Sequence, residues 1–256
     1  MVWQHWWAHA TGAKLLWFQD AVLALGVWMI YLGDRLADTR QTAGEPPDTA
    51  RHAFSARHRR VLRPLLACVV AGLAILTPAE LPVRQFSAGL GLLLAAGGYF
   101  WLIHRRRPSR WAGFVPKEAI VGVIFAFGTT FFVDGESGRP RWLFVGSAAL
   151  FAVLCFFNCA LITQWETSAQ DRREPTSLLN AFPWLDGRLG MGCMWLAASA
   201  AFLAAACGSV ACLPVALGAL ALAWLDYRRA AISPDALRVL ADLALLAPLV
   251  CGGWPR

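Results

Sequence analysis

Apolar residues in this chain come in long blocks that contain few charges. This feature constrains the fold most, because about 20 such residues are what a helix needs to cross the hydrocarbon core of a bilayer. Eight blocks qualify as spanning candidates: Leu15–Gly33, Val61–Thr77, Phe86–His104, Glu118–Val133, Leu143–Thr163, Leu189–Ala206, Val210–Leu225 and Leu237–Gly252. Between them no stretch is large enough for a soluble domain. The expected fold is all-α: a polytopic membrane helical bundle of about eight transmembrane helices, with residues 1–256 forming one integral membrane domain.

Composition agrees. Only 15% of residues are charged and 58% are hydrophobic, against about 25% charged in a soluble domain. The 13 tryptophans suit a chain with two membrane interfaces. The net charge of +7 would raise nucleic acid as a partner in a soluble protein. Here the arginines gather in the connections after the first, third, fifth and seventh blocks. Topology accounts for them, the partners are membrane lipids, and nucleic acid is not expected. The positive-inside rule puts those loops in the cytoplasm and both termini outside, in a bacterial inner (cytoplasmic) membrane. The seven cysteines lie in or beside apolar runs without a CxxC pair, so they read as small core residues rather than disulfides or zinc ligands. The opening Met1-Val2-Trp3-Gln4-His5-Trp6-Trp7 lacks the basic-then-apolar pattern of a signal peptide. It is either an interfacial aromatic segment or the tail of a longer helix.

Glycines such as Gly91, Gly97, Gly98, Gly122, Gly190, Gly192 and Gly218 recur inside the blocks. Small residues let membrane helices approach closely, which predicts compact packing. The stretch Gln41–Ala50, with Gly44, Pro46 and Pro47, reads as a loop.

Ionisable groups at the mouth of an apolar helix are functional suspects. Asp34 and Asp38 close the first block, four residues apart, so a continuing helix projects both from one face. They are either ligands for a hard divalent cation or a helix end paired to Arg35 and Arg40. Asn158, Ile162 and Glu166 follow at four-residue steps, with Asp171 beyond them. This stripe is either a set of oxygen ligands or interhelical glue. His104, Arg105 and Lys117-Glu118 bracket a basic loop, suited to phosphate oxygens or to lipid headgroups. Asp242 lies in the last apolar run, one turn from Arg238, which is a ready partner. No GxGxxG, Walker loop, HExxH or GxSxG is present, and the DGxxAR signature of the CDP-alcohol phosphotransferases is absent.

The stretch Ile30-Tyr31-Leu32-Gly33-Asp34-Arg35-Leu36-Ala37-Asp38 resembles the first aspartate motif of the UbiA superfamily of intramembrane prenyltransferases, roughly NxxxDxxxD. Both aspartates and the Asp-Arg pair match, and Ile30 stands where the family has Asn. Asn158, Glu166 and Asp171 fall where the second acidic motif lies, matching by position and chemistry rather than by letter. The family usually has nine helices, with the first motif ending the second. The resemblance therefore implies a missing first helix, with Val2-Trp3-Gln4 onward as its remnant. It further implies Mg²⁺ held by Asp34, Asp38, Asn158, Glu166 and Asp171, with Asp34, Asp38 and Glu166 as catalytic groups. Arg35, His104, Arg105, Lys117 and Asn158 would bind substrate, a prenyl diphosphate. The prenyl group would pass to an aromatic or lipid-soluble acceptor inside the membrane, its tail lying near Trp28, Phe125 and Phe127. The alternative is a catalytically inactive UbiA-like binding or scaffold protein, for which Ile30 and the reduced second motif speak.

Overall fold

The computed structural model describes residues 1–41, 54, 57–103, 116–133, 140–170 and 178–252; within these helices, the side chains of 34, 35, 37–41, 99–103 and 168–170 lie outside the description. All regular structure among the described residues is helical. The chain divides into two compact units, Met1–Leu15 with Pro108–Arg256 (unit 1) and Leu16–Arg107 (unit 2).

Unit 2 contains α2 (Trp17–Gln41), α3 (Arg59–Glu80) and α4 (Val83–Ile103). Helix α2 packs on α3, and α3 more lightly on α4. The Gln19 side chain accepts the Leu16 N–H at 2.9 Å, which caps the start of α2. Few side chains of α3 are buried, Val69 among them, while Ile75 stays 72% exposed.

Unit 1 contains α1 (Val2–Thr11), α5 (Lys117–Thr130), α6 (Arg141–Gln170), α7 (Leu178–Ala181), α8 (Leu189–Cys207), α9 (Leu213–Arg228), α10 (Pro234–Ala244) and α11 (Ala247–Val250). Its core runs from Trp6 and Trp7 through Phe151, Leu154 and Leu161 to Leu222 and Leu237. Helix α6 is central, touching α5, α8, α9 and α10. The α5–α6 contact is close enough that a Cβ on Gly122 would stand 2.5 Å from the Ala152 carbonyl oxygen, so only glycine fits there.

Four described helical segments are long and apolar enough to cross a membrane: Arg59–Glu80, Arg141–Thr167, Leu189–Cys207 and Val210–Ala231; Trp17–Gly33 is a shorter apolar stretch. This corrects the expected eight. The run Leu237–Gly252 is not one helix: it divides into α10 and α11, with Pro248 in the first turn of α11, where its missing N–H costs nothing. The block at Glu118–Val133 yields a helix of 14 residues, about 21 Å long at 1.5 Å per residue.

The tryptophan-rich start packs inside unit 1. Helix α1 is inserted into unit 1 against α5, α11 and the turn Val210–Cys212, and Trp7 is fully buried. Indole N–H groups need partners when buried. Trp3 donates to the Leu245 carbonyl at 2.7 Å and Trp6 to the Ala211 carbonyl at 3.1 Å. The Trp3 ring lies 4.0 Å from Phe151 between centroids. Gly12, at φ +73°, ends the helix, and Ala13 N–H returns to the Ala8 carbonyl at 2.9 Å, a glycine-dependent cap.

Candidate functional site

Helix α6 carries two of the polar groups singled out in the sequence. Asn158 is 3% exposed and the Glu166 side chain 34%.

The four-residue stripe does present one face, and that face meets α10. The Asn158 Nδ2 donates to the Ala241 carbonyl at 2.8 Å. Glu166 Oε1 accepts from Arg238 Nη1 at 3.2 Å. Arg238 thus forms an ion pair with Glu166, 72 residues away in sequence. A buried amide without a partner would be costly; bonded across helices it fastens α6 to α10.

The neighbouring face of α6 meets the start of α5. Glu118 is 1% exposed, and its Oε2 accepts the Leu178 N–H at 3.2 Å, tying α7 to α5. Its Oε1 makes no hydrogen bond to the protein. The Thr163 hydroxyl borders this carboxylate, with its proton directed to the Cys159 carbonyl at 2.9 Å. Cys159 lies within electrostatic reach of Glu118, Asp242 and Lys117. Lys117, Asn158 and Glu166 thus share one polar layer of unit 1 with Glu118, Arg238 and Asp242.

A further carboxylate of unit 1 is not among the candidates read from the sequence. Asp226, near the end of α9, accepts from Trp165 Nε1 at 3.0 Å and from Arg229 at 3.1 Å. Gly190 of α8 makes room for it, since a Cβ there would collide with Asp226 Oδ2. The available signals were a lone aspartate closing an apolar run and a glycine one residue into the preceding long helix.

Asp34, Arg35 and Asp38 lie on α2, which stays helical through all three. Their side chains are outside the description, as are His104, Arg105, Asp171 and the loop from 42 to 50 in full. Among the described residues, no group of three or more His, Cys, Asp or Glu side chains is arranged to hold a metal ion.

No family model, no curated protein and no solved structure matches this chain. The UbiA likeness rests on the motif residues alone.

Chemically, most of the layer is internally compensated. Glu166 is opposed by Arg238, and Asp226 by Arg229 and an indole N–H. Glu118 retains a carboxylate oxygen without a hydrogen bond, inside a helical bundle.

Proposed function

We propose that this integral membrane protein is a UbiA-like transferase that moves a prenyl group from a prenyl diphosphate to an aromatic or lipid-soluble acceptor within the membrane. One observation carries the reading: α2 runs unbroken from Trp17 to Gln41. Asp34 and Asp38 therefore stand one turn apart at the polar end of a helix whose segment Trp17–Gly33 is apolar.

Fit to Mg²⁺ differs along the chain. Two carboxylates at that spacing are hard oxygen donors of the kind the ion takes together with phosphate oxygens, so Asp34 and Asp38 would hold it. The described part of the second motif offers less, because Glu166 is already opposed by Arg238, and Asn158, whose Nδ2 is bonded to the Ala241 carbonyl, has only its Oδ1 to give. Bound Mg²⁺ would supply neutralisation of the charge that develops on the leaving diphosphate. Arg35, His104, Arg105 and Lys117 would donate hydrogen bonds to the diphosphate oxygens. The apolar helices would exclude water from the allylic cation and hold the prenyl tail. The exposed ring of Trp28, on the same helix as the two aspartates, offers apolar surface for it. The positive-inside pattern supports a diphosphate-binding mouth on the cytoplasmic side.

A second reading is a membrane binding or scaffold protein without catalysis. The engagement of Asn158 and Glu166 in α6–α10 contacts favours it. Isotope-labelled prenyl diphosphate, incubated with purified protein, Mg²⁺ and a membrane lipid extract, separates the two. Transfer of label that is lost in Asp34→Ala and Asp38→Ala supports the enzyme, provided both variants insert normally. No transfer by the wild-type protein supports the scaffold.

A further inference from the structure

A groove of about 590 Å³ runs along the surface between α8 and α9. Met191 and Met194 form one wall, and Leu220, Trp224 and Tyr227 the other. The second set recurs at i, i+4 and i+7, which puts all three on one face of α9. The two helices are antiparallel neighbours, since Gly190 near the start of α8 lies against Asp226 near the end of α9. Charged residues therefore collect at one end of the groove. Of the charged residues Asp226 lines the groove itself, while Arg188, Arg228, Arg229 and Asp186 sit within four residues of its lining at that end of the two helices.

The balance at that end is positive and directional. Asp226 is held by Arg229 and Trp165, so it offers little to a cationic headgroup. Arg188 and Arg228 are exposed, and neither belongs to the ion pairs found among the described residues. Trp224 and Tyr227, 56% and 83% exposed, are the ring types that settle at the level of lipid headgroups. The flexible, polarisable Met191 and Met194 suit an irregular hydrocarbon chain.

We propose that this groove is a binding site for an anionic phospholipid, with one acyl chain along Met194 and Leu220 and the phosphate at Arg188 and Arg228. Charge complementarity selects that occupant over zwitterionic lipids. The site lies wholly within unit 1 and is independent of prenyl transfer.

Native mass spectrometry of the purified protein with phosphatidylglycerol, phosphatidylethanolamine or phosphatidylcholine of matched chains tests it. The expected result is one retained phosphatidylglycerol, favoured at least tenfold over the other two. R188Q/R228Q should weaken it about 30-fold, as for two surface cations. Met194→Trp, which fills the groove, should remove the same bound lipid without touching the arginines. Excess inorganic phosphate should not displace it. Equal occupancy by all three lipids, unchanged binding in R188Q/R228Q, or displacement by phosphate alone would overturn the proposal. Circular dichroism of each variant separates lost binding from lost fold.

Discussion

Helix α3 in unit 2 buries 6% of its apolar window inside the protein, whereas Val210–Ala231 in unit 1, no more apolar, buries 50%. Hydropathy reports the solvent a helix prefers and says little about its protein neighbours. In lipid there is no hydrophobic force between helices, so association depends on close fit and on polar contacts. Unit 1 has both. Gly122, Gly190, Gly192 and Gly218 each sit where a Cβ would press on a neighbour, and Asn158, Glu166, Glu118 and Asp226 bond across elements. In unit 2, Gly91, Gly97 and Gly98 have nothing within 4 Å of a notional Cβ. The same residue type thus closes an interface in one unit and leaves open space in the other.

This contrast can be broken by matched substitutions. The largest effect is expected at the α5–α6 contact. Gly122→Ala should destabilise by about 3 kcal/mol, because backbone and not a flexible side chain stands in the way. Gly97→Ala should be neutral or stabilise by up to about 1 kcal/mol through helix propensity. Thermal unfolding in detergent reads both, and equal effects would dissolve the distinction between the units.

A second test has the opposite sign. Gln4 is fully buried in unit 1, and neither amide atom has a hydrogen-bond partner. Replacing an unsatisfied buried polar group by an apolar one of similar shape removes a desolvation penalty of about 1–3 kcal/mol. Gln4→Met should therefore raise the melting temperature. A fall would mean that the amide is satisfied in the membrane.

The polar fasteners come next. Asn158→Leu should cost about 1 kcal/mol, the scale of an interhelical hydrogen bond in a membrane protein. Glu166→Gln should cost less than about 1 kcal/mol, since the Arg238 pair is part-exposed. Both variants also sharpen the functional reading. Stability losses of this size with unchanged prenyl transfer would make the two residues structural only, whereas loss of transfer beyond them would give them a role at the substrate.

Much of the helical layout was legible. Charges and prolines bound the apolar runs, so Leu189–Ala206 was expected and Leu189–Cys207 found, and Val61–Thr77 became Arg59–Glu80. The four-residue stripe from Asn158 to Glu166 does face one neighbour. What eluded the reading was non-local. Nothing near Trp3 points to Leu245, 242 residues away. Arg238 is engaged by Glu166, a partner 72 residues away that its own helix does not announce. Pro248 did mark the break in the last run, a signal that hydropathy alone overrides. Asp226 drew no notice in the sequence because its partner Trp165 lies on another helix.

If Asp34 and Asp38 serve prenyl transfer, diphosphate should be released from a labelled prenyl diphosphate by purified protein in a lipid bilayer. That release should need Mg²⁺ and fall by at least a hundredfold in Asp34→Asn, with the protein still folded and inserted. Release that is indifferent to Mg²⁺ and to Asp34→Asn, or none from the wild-type protein under the same conditions, would contradict that role.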